Sequence, residues 1–123
     1  MKKSFFSLFL CTFLFSCEKD NDYLINFTIK NSSSKVFNGK IEAITYLNQK
    51  QIFLAPFTDL KNGDELVVQL KPQVLVNNEG IYYVTITDEE GVITKKGFGA
   101  FDGYDFLGRK YNIVLGDAEI LIK

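Results

Sequence analysis

The 123-residue chain has no histidine and no tryptophan, and its two cysteines, Cys11 and Cys17, both fall within the first 17 residues. Each absence excludes a class of chemistry. Without imidazole the commonest general base is missing, and beyond residue 17 there is no thiol nucleophile. No disulfide and no thiolate metal site can form in the body of the chain. A serine nucleophile would need a lysine as its base, and the serines beyond residue 17 stand together in Ser32-Ser33-Ser34, a turn-like cluster. No glycine-rich phosphate loop of the strand-to-helix kind is present. There is no basic run, and the formal charge is −1. That excludes the electrostatic grip on phosphates that nucleic-acid binding requires, and it argues against a membrane-binding surface built from a basic run. Long apolar runs are also lacking: the longest, Phe5 to Phe15, is far short of the roughly 20 residues of a spanning helix.

That run fits a different purpose. Lys2-Lys3, an apolar stretch and then the small residue Ser16 form the layout of a secretory signal. Leu14-Phe15-Ser16-Cys17 resembles the lipobox of bacterial lipoproteins, with Leu three residues before the cysteine and a small residue just before it. The resemblance implies cleavage before Cys17 and acylation of its thiol. Cys11 is a poorer match, because the bulky Leu10 precedes it and apolar residues follow. The division is therefore a signal peptide over 1–16, a lipidated cysteine with an acidic tether over 17–22, and a folded domain over 23–123. Each buried methylene of an acyl chain contributes about 0.8 kcal/mol, and two or more chains hold a protein firmly to a bilayer. Removing 16 of 123 residues leaves 107, enough for one domain, and the loss of Lys2 and Lys3 takes the formal charge from −1 to −3. Glu18-Lys19-Asp20-Asn21-Asp22 is a solvated spacer by composition. Lys19, Asp20 and Asp22 also resemble the export signal of Bacteroidota surface lipoproteins, from which Asn21 departs. The implied location is the outer membrane, lipid-anchored, at the cell surface or otherwise facing the periplasm.

The remainder alternates like β-structure. In Tyr23 to Lys30 the residues Tyr23, Ile25, Phe27 and Ile29 share one face. Further strands are expected over Ile41–Leu47, ended by Asn48-Gln49-Lys50, and over Gln51–Ala55, where Pro56 marks a strand end or an edge. Leu66, Val68 and Leu70 alternate with Val67 and Gln69; Val74-Leu75-Val76 follows Pro72 as a short apolar run. Ile81–Thr87 is wholly β-branched or aromatic, and Val92–Lys96, Tyr111–Leu115 and Ala118–Ile122 complete the series. Asn62-Gly63 supplies the positive φ that tight hairpins need, and Gly116-Asp117 reads as a two-residue hairpin loop. Seven to nine short strands with no helix predict an all-β antiparallel sandwich without a disulfide. Its inner faces should include Phe27, Ile29, Ile41, Leu66, Val68, Val84, Ile86, Ile113 and Leu115. Phe27 to Ser33, the turn Leu60-Lys61-Asn62-Gly63-Asp64 and the strand Tyr82–Thr87 resemble small immunoglobulin-like domains of bacterial lipoproteins, a family of mostly uncharacterised members. The resemblance implies that fold.

Carboxylates are the remaining catalytic candidates, and a glycosidase needs two across a cleft, roughly 5–10 Å apart. Glu89 and Glu90 are neighbours in a turn, where extended side chains point apart. Asp102 and Asp105 are too few to enclose Ca²⁺, which takes about 6–8 oxygens. No enzyme activity, cofactor or metal is therefore expected. Gly97 to Arg109 reads as a loop in which Phe101, Tyr104 and Phe106 stand among four glycines with Asp102 and Asp105. Exposed, such residues suit glycan or peptide contacts; folded inward, they plug one end of the sandwich. An exposed edge strand is a second candidate surface. The expected role is a membrane-anchored, non-enzymatic binding module with a protein or glycan partner. The alternative is an immunity-type lipoprotein that blocks a toxin or hydrolase.

Overall fold

Strict alternation builds each strand, and the structure shows which alternating set faces inward. The computed structural model describes residues 24–102 and 110–123. Strands β1 (Ile25–Asn31), β4 (Glu65–Leu70), β7 (Lys110–Leu115) and β8 (Ile120–Ile122) form one sheet in the order β4-β1-β7-β8. Strands β2 (Phe37–Thr45), β3 (Gln51–Leu60), β5 (Gly80–Thr87) and β6 (Ile93–Phe101) form the other in the order β3-β2-β5-β6. All strand pairs are antiparallel except β1 with β7. This is the expected immunoglobulin-like class, an eight-stranded antiparallel sandwich. In β5, where both alternating sets are apolar, Tyr82, Val84 and Ile86 face inward. Of the expected inner residues, Leu66 and Val68 are half-buried against the core and the others are buried.

Several boundaries differ from the sequence expectation for local reasons. β2 stops at Thr45, whose hydroxyl donates to Asn48 Oδ1 (2.8 Å) and accepts from the Lys50 N–H (2.9 Å). Tyr46 and Leu47 therefore belong to the turn. β3 continues through Pro56, which is tolerated because β3 is an edge strand. Val74-Leu75-Val76 is not a strand: Pro72 opens a 3₁₀ turn, Pro72–Leu75, that buries Leu75 alone. Gly97–Phe101 is strand rather than loop, paired with β5. The β7–β8 hairpin turns at Asp117-Ala118, one residue later than expected, with the Gly116 N–H donating to the Glu119 carbonyl (2.8 Å). The Asn62-Gly63 turn has Gly63 at φ +85° as expected, but it joins β3 to β4 across the two sheets and is no hairpin.

That crossover is held by Asn31, a fully buried polar residue. Its side-chain amide donates to the carbonyls of Lys35 (2.7 Å) and Leu60 (2.8 Å). Its Oδ1 accepts from the Ser33 N–H and the Ser33 hydroxyl, both at 2.8 Å. Its backbone N–H donates to the Asp64 carbonyl (3.0 Å), and its carbonyl accepts from the Gly63 N–H (2.7 Å). Asn62 Nδ2 adds a bond to the Ser33 carbonyl (2.6 Å). The Asn-Ser and Leu-Lys-Asn-Gly-Asp segments noted in the sequence are therefore two halves of one hydrogen-bonded joint.

The core between the sheets is aromatic. Phe27 meets Tyr82 edge-on (centroids 5.0 Å) and stacks on Tyr111 (5.5 Å, 12° between planes). Phe98 packs against Phe27, Tyr82 and Tyr111 at 5.9, 5.7 and 5.3 Å. The Tyr82 hydroxyl is buried with no hydrogen-bond partner among the described residues. Burial first, and then the neighbouring Tyr111, push its phenol well above the usual range; burial pushes Tyr111 up too.

Asn31→Ala removes donors to two carbonyls and the acceptor for Ser33, at about 1–3 kcal/mol for each buried group left unpaired. Urea titration should show a large loss of stability, and Asn31→Asp should be no better, because a carboxylate cannot donate to Lys35 or Leu60. Tyr82→Phe removes an unpartnered hydroxyl and should leave the melting temperature unchanged or higher. Both phenols remain neutral in the folded state above the unfolded value of 10.0. Stability should thus be flat below that pH and fall as pH rises beyond it towards the raised folded values; Tyr82→Phe should flatten the fall.

Candidate functional site

The strand directions define two poles. β1 starts at Ile25, beside Leu70, and Thr45, Gly80 and Phe101 lie in register at the same end. This near pole therefore carries the chain's entry into the domain, the β2–β3 hairpin tip and the β4–β5 connection. The Asn31 joint and the β5–β6 and β7–β8 turns form the far pole.

The near pole is apolar at its rim. Tyr46 is 54% and Leu47 95% exposed at the hairpin tip, and Val74 (41%) and Val76 (45%) are exposed in the β4–β5 connection. The Tyr46 N–H donates to the Glu79 carbonyl (2.9 Å) and ties the two segments together. Between them lies an open groove of about 570 Å³, lined by Thr45 to Asn48 and Asn77 to Glu79. The sequence reading placed Tyr46 and Leu47 in a strand and so missed this rim. The available signal was Tyr46-Leu47 itself, an adjacent apolar pair that breaks the alternation just before polar turn residues.

Of the residues singled out in the sequence, Phe101 ends β6 and is 2% exposed, its ring 5.3 Å from that of Tyr82. For this residue the structure takes the inward reading: the ring is core and offers no contact surface. Gly99, at φ +64°, explains how the strand packs so closely here, since a Cβ at that position would lie 2.7 Å from the Tyr111 hydroxyl. Asp102 is exposed immediately after the strand. Tyr104, Asp105 and Phe106 lie outside the described residues, as do Cys17, Lys19, Asp20 and Asp22.

The far pole is acidic. The Asp88 carboxylate accepts from the N–H groups of Val92 and Glu90 (both 2.9 Å) and lies 3.5 Å from Lys35 Nζ. The bond from Val92 is the main reason its carboxyl is held below the usual range, with Glu90 and Lys35 adding to it. Asp117 is lowered chiefly by the Ser34 N–H, then by the Ser34 hydroxyl and Lys35. These carboxylates serve as turn caps. The cleft beside them measures about 170 Å³, below the roughly 300 Å³ at which small-molecule sites begin. Among the described residues no three acidic side chains converge to hold a metal.

The edge strands are guarded against pairing with another chain. β3 carries Pro56, β8 has only three residues, and β6 presents Lys95 and Lys96. Lys96 Nζ donates to the Ile120 carbonyl (2.8 Å), joining the β6 and β8 edges across the two sheets. Lys95 Nζ lies 4.4 Å from the centre of the Tyr83 ring. Edge β4 exposes Val67 between polar neighbours.

No family model matches the chain, and no curated protein matches it. Among solved structures it is similar to the membrane-binding domain of pneumolysin, at 13% identity and a TM-score of 0.38, over 81% of this chain and 94% of that one. It is also similar to whole pneumolysin, at 15% identity and a TM-score of 0.37, and spans 23% of that protein's length. Likeness at this level decides neither activity nor partner.

Phe101→Ala should cost about 3–5 kcal/mol in chemical denaturation, as for other buried aromatics. Leu47→Ala, at a side chain exposed in the monomer, should change stability by no more than about 0.5 kcal/mol. Comparable losses at the two positions would contradict this assignment of core and rim.

Proposed function

We propose that the chain is an exported lipoprotein, anchored through acyl chains on Cys17, whose β-sandwich is a non-enzymatic binding module at the cell envelope. The observation that carries this reading is Leu14-Phe15-Ser16-Cys17 at the end of a short apolar run that follows two lysines. Lys19, Asp20 and Asp22 support export to the outer membrane and its outer surface. The absence of histidine from the sequence, and of cysteine beyond Cys17, supports binding over catalysis. Partner contact, with a protein or a glycan, falls to surface loops, since Phe101 belongs to the core.

Growth with a fatty-acid analogue carrying a clickable tag tests the anchor. The wild-type chain should take up label and fractionate with membranes. Cys17→Ala should lose both while Cys11→Ala keeps both. Equal labelling of wild type and Cys17→Ala would end the reading.

A further inference from the structure

We infer that the near pole of the sandwich rests in the interfacial layer of the bilayer that holds the anchor, with the Tyr46-Leu47 hairpin tip inserted among the lipids. The inference rests on the reading of Cys17 as the lipidated residue and adds to it an orientation and a contact surface.

Three observations converge on this pole. The first is position. Leu24, seven residues after Cys17, leads into β1 at the near pole. Seven residues span at most about 25 Å fully extended, so the anchor confines this end of the domain to within that distance of the bilayer. The far pole lies a further strand length away, about 25 Å for the eight residues of β5.

The second is the character of the rim. Leu47 at the hairpin tip is 95% exposed beside Tyr46 at 54%, and no burial among the described residues accounts for an apolar pair at this place. Tyrosine has an apolar ring and a polar end, which suits the headgroup level of a bilayer, and leucine beside it can reach the acyl chains. Lys50, Lys71 and Lys110 are exposed at the same end, and long cationic side chains can lay their stems along lipid with the charge in the headgroup layer.

The third is charge. Among the described residues, Asp64, Glu65, Asp88, Glu89, Glu90, Asp117 and Glu119 gather at the far pole, countered there by Lys30, Lys35 and Lys61; the near pole sets Lys50, Lys71 and Lys110 against Glu79 and Asp102. Against an anionic bilayer this separation turns the acidic end outward. Val92 and Ile93 are also exposed apolar residues, but they stand at the acidic pole beside Asp88, Glu89 and Glu90, where approach to anionic lipid is opposed.

The test uses the full chain, expressed and processed in a lipoprotein-exporting host and reconstituted in vesicles of phosphatidylethanolamine and phosphatidylglycerol. A single added thiol is labelled with an environment-sensitive nitrobenzoxadiazole dye, at Leu47→Cys in one variant and at Glu90→Cys in another. With doxyl-labelled lipids present, the dye at position 47 should be blue-shifted and lose fluorescence, while the dye at position 90 should do neither. Flotation of the same vesicles reports the anchor independently. A chain that floats but shows equal, unquenched signals at 47 and 90 overturns the inserted tip and leaves the lipoprotein reading standing. A dye at 47 that is blue-shifted but insensitive to doxyl lipid overturns it in favour of a protein partner or a second copy on the rim. A chain that fails to float overturns both the anchor and the orientation built on it.

Discussion

The side-chain amide of Asn31 donates to two backbone carbonyls from separate segments, one on Lys35 and one on Leu60, and the arrangement of the sandwich depends on this joint. β1 ends at Asn31, β2 begins six residues later, β3 ends at Leu60 and β4 begins at Glu65. Two sheets that share a core must be joined by crossovers, and each crossover leaves backbone groups without ladder partners. Asn31 satisfies several of them at one buried point, and Ser33 and Asn62 complete the set. In a domain without cysteine this is the nearest equivalent of a covalent clasp. Unlike a disulfide, it holds only while every donor and acceptor in it is matched.

The rest of the core is built at lower chemical cost but with the same economy of position. Phe27, Tyr82, Phe98 and Tyr111 come from four strands of both sheets and meet edge-on or stacked. Aromatic pairs of this geometry contribute about 0.5–1.5 kcal/mol beyond the area they bury. The cost is the buried Tyr82 hydroxyl, which has no hydrogen-bond partner among the described residues. The cluster lies between the poles, so the loops at either end can differ in chemistry without disturbing it.

The poles do differ, and strand direction is the reason. An antiparallel sandwich places all its turns at two ends, and each end collects whatever its turns contain. Acidic turn residues accumulate at one: Asp88 caps its own hairpin, and Asp117 caps the neighbouring Ser34 turn. Tyr46, Leu47, Val74 and Val76 accumulate at the other, where the chain also enters from Cys17. The apolar rim and the carboxylates therefore stand at opposite ends of the domain, with the start of β1 at the apolar end.

Much of this protein was legible in the sequence. Period-two alternation identified most strands and the inward set of β1, because Ile25, Phe27 and Ile29 alternate with Asn26, Thr28 and Lys30. The lipoprotein proposal rests on Leu14 to Cys17 alone, a linear pattern that lies outside the described residues. What alternation could not decide was every feature that depends on a distant partner. In β5 the inward place of Val84 and Ile86 was legible, but Tyr82 and Tyr83 are alike in sequence and the opposing sheet selects Tyr82. Gly97–Phe101 has the glycine content of a loop, yet pairing with β5 makes it a strand and draws Phe101 into the core. Asn31 looked like an ordinary turn residue, since its partners lie four and 29 residues away. The apolar rim was hidden for the same reason: Tyr46 and Val76 are 30 positions apart, and only the folded register of β2 with β5 brings their loops to one end. Local residue chemistry sets which backbone shapes are favoured, while long-range pairing decides which side chains are neighbours.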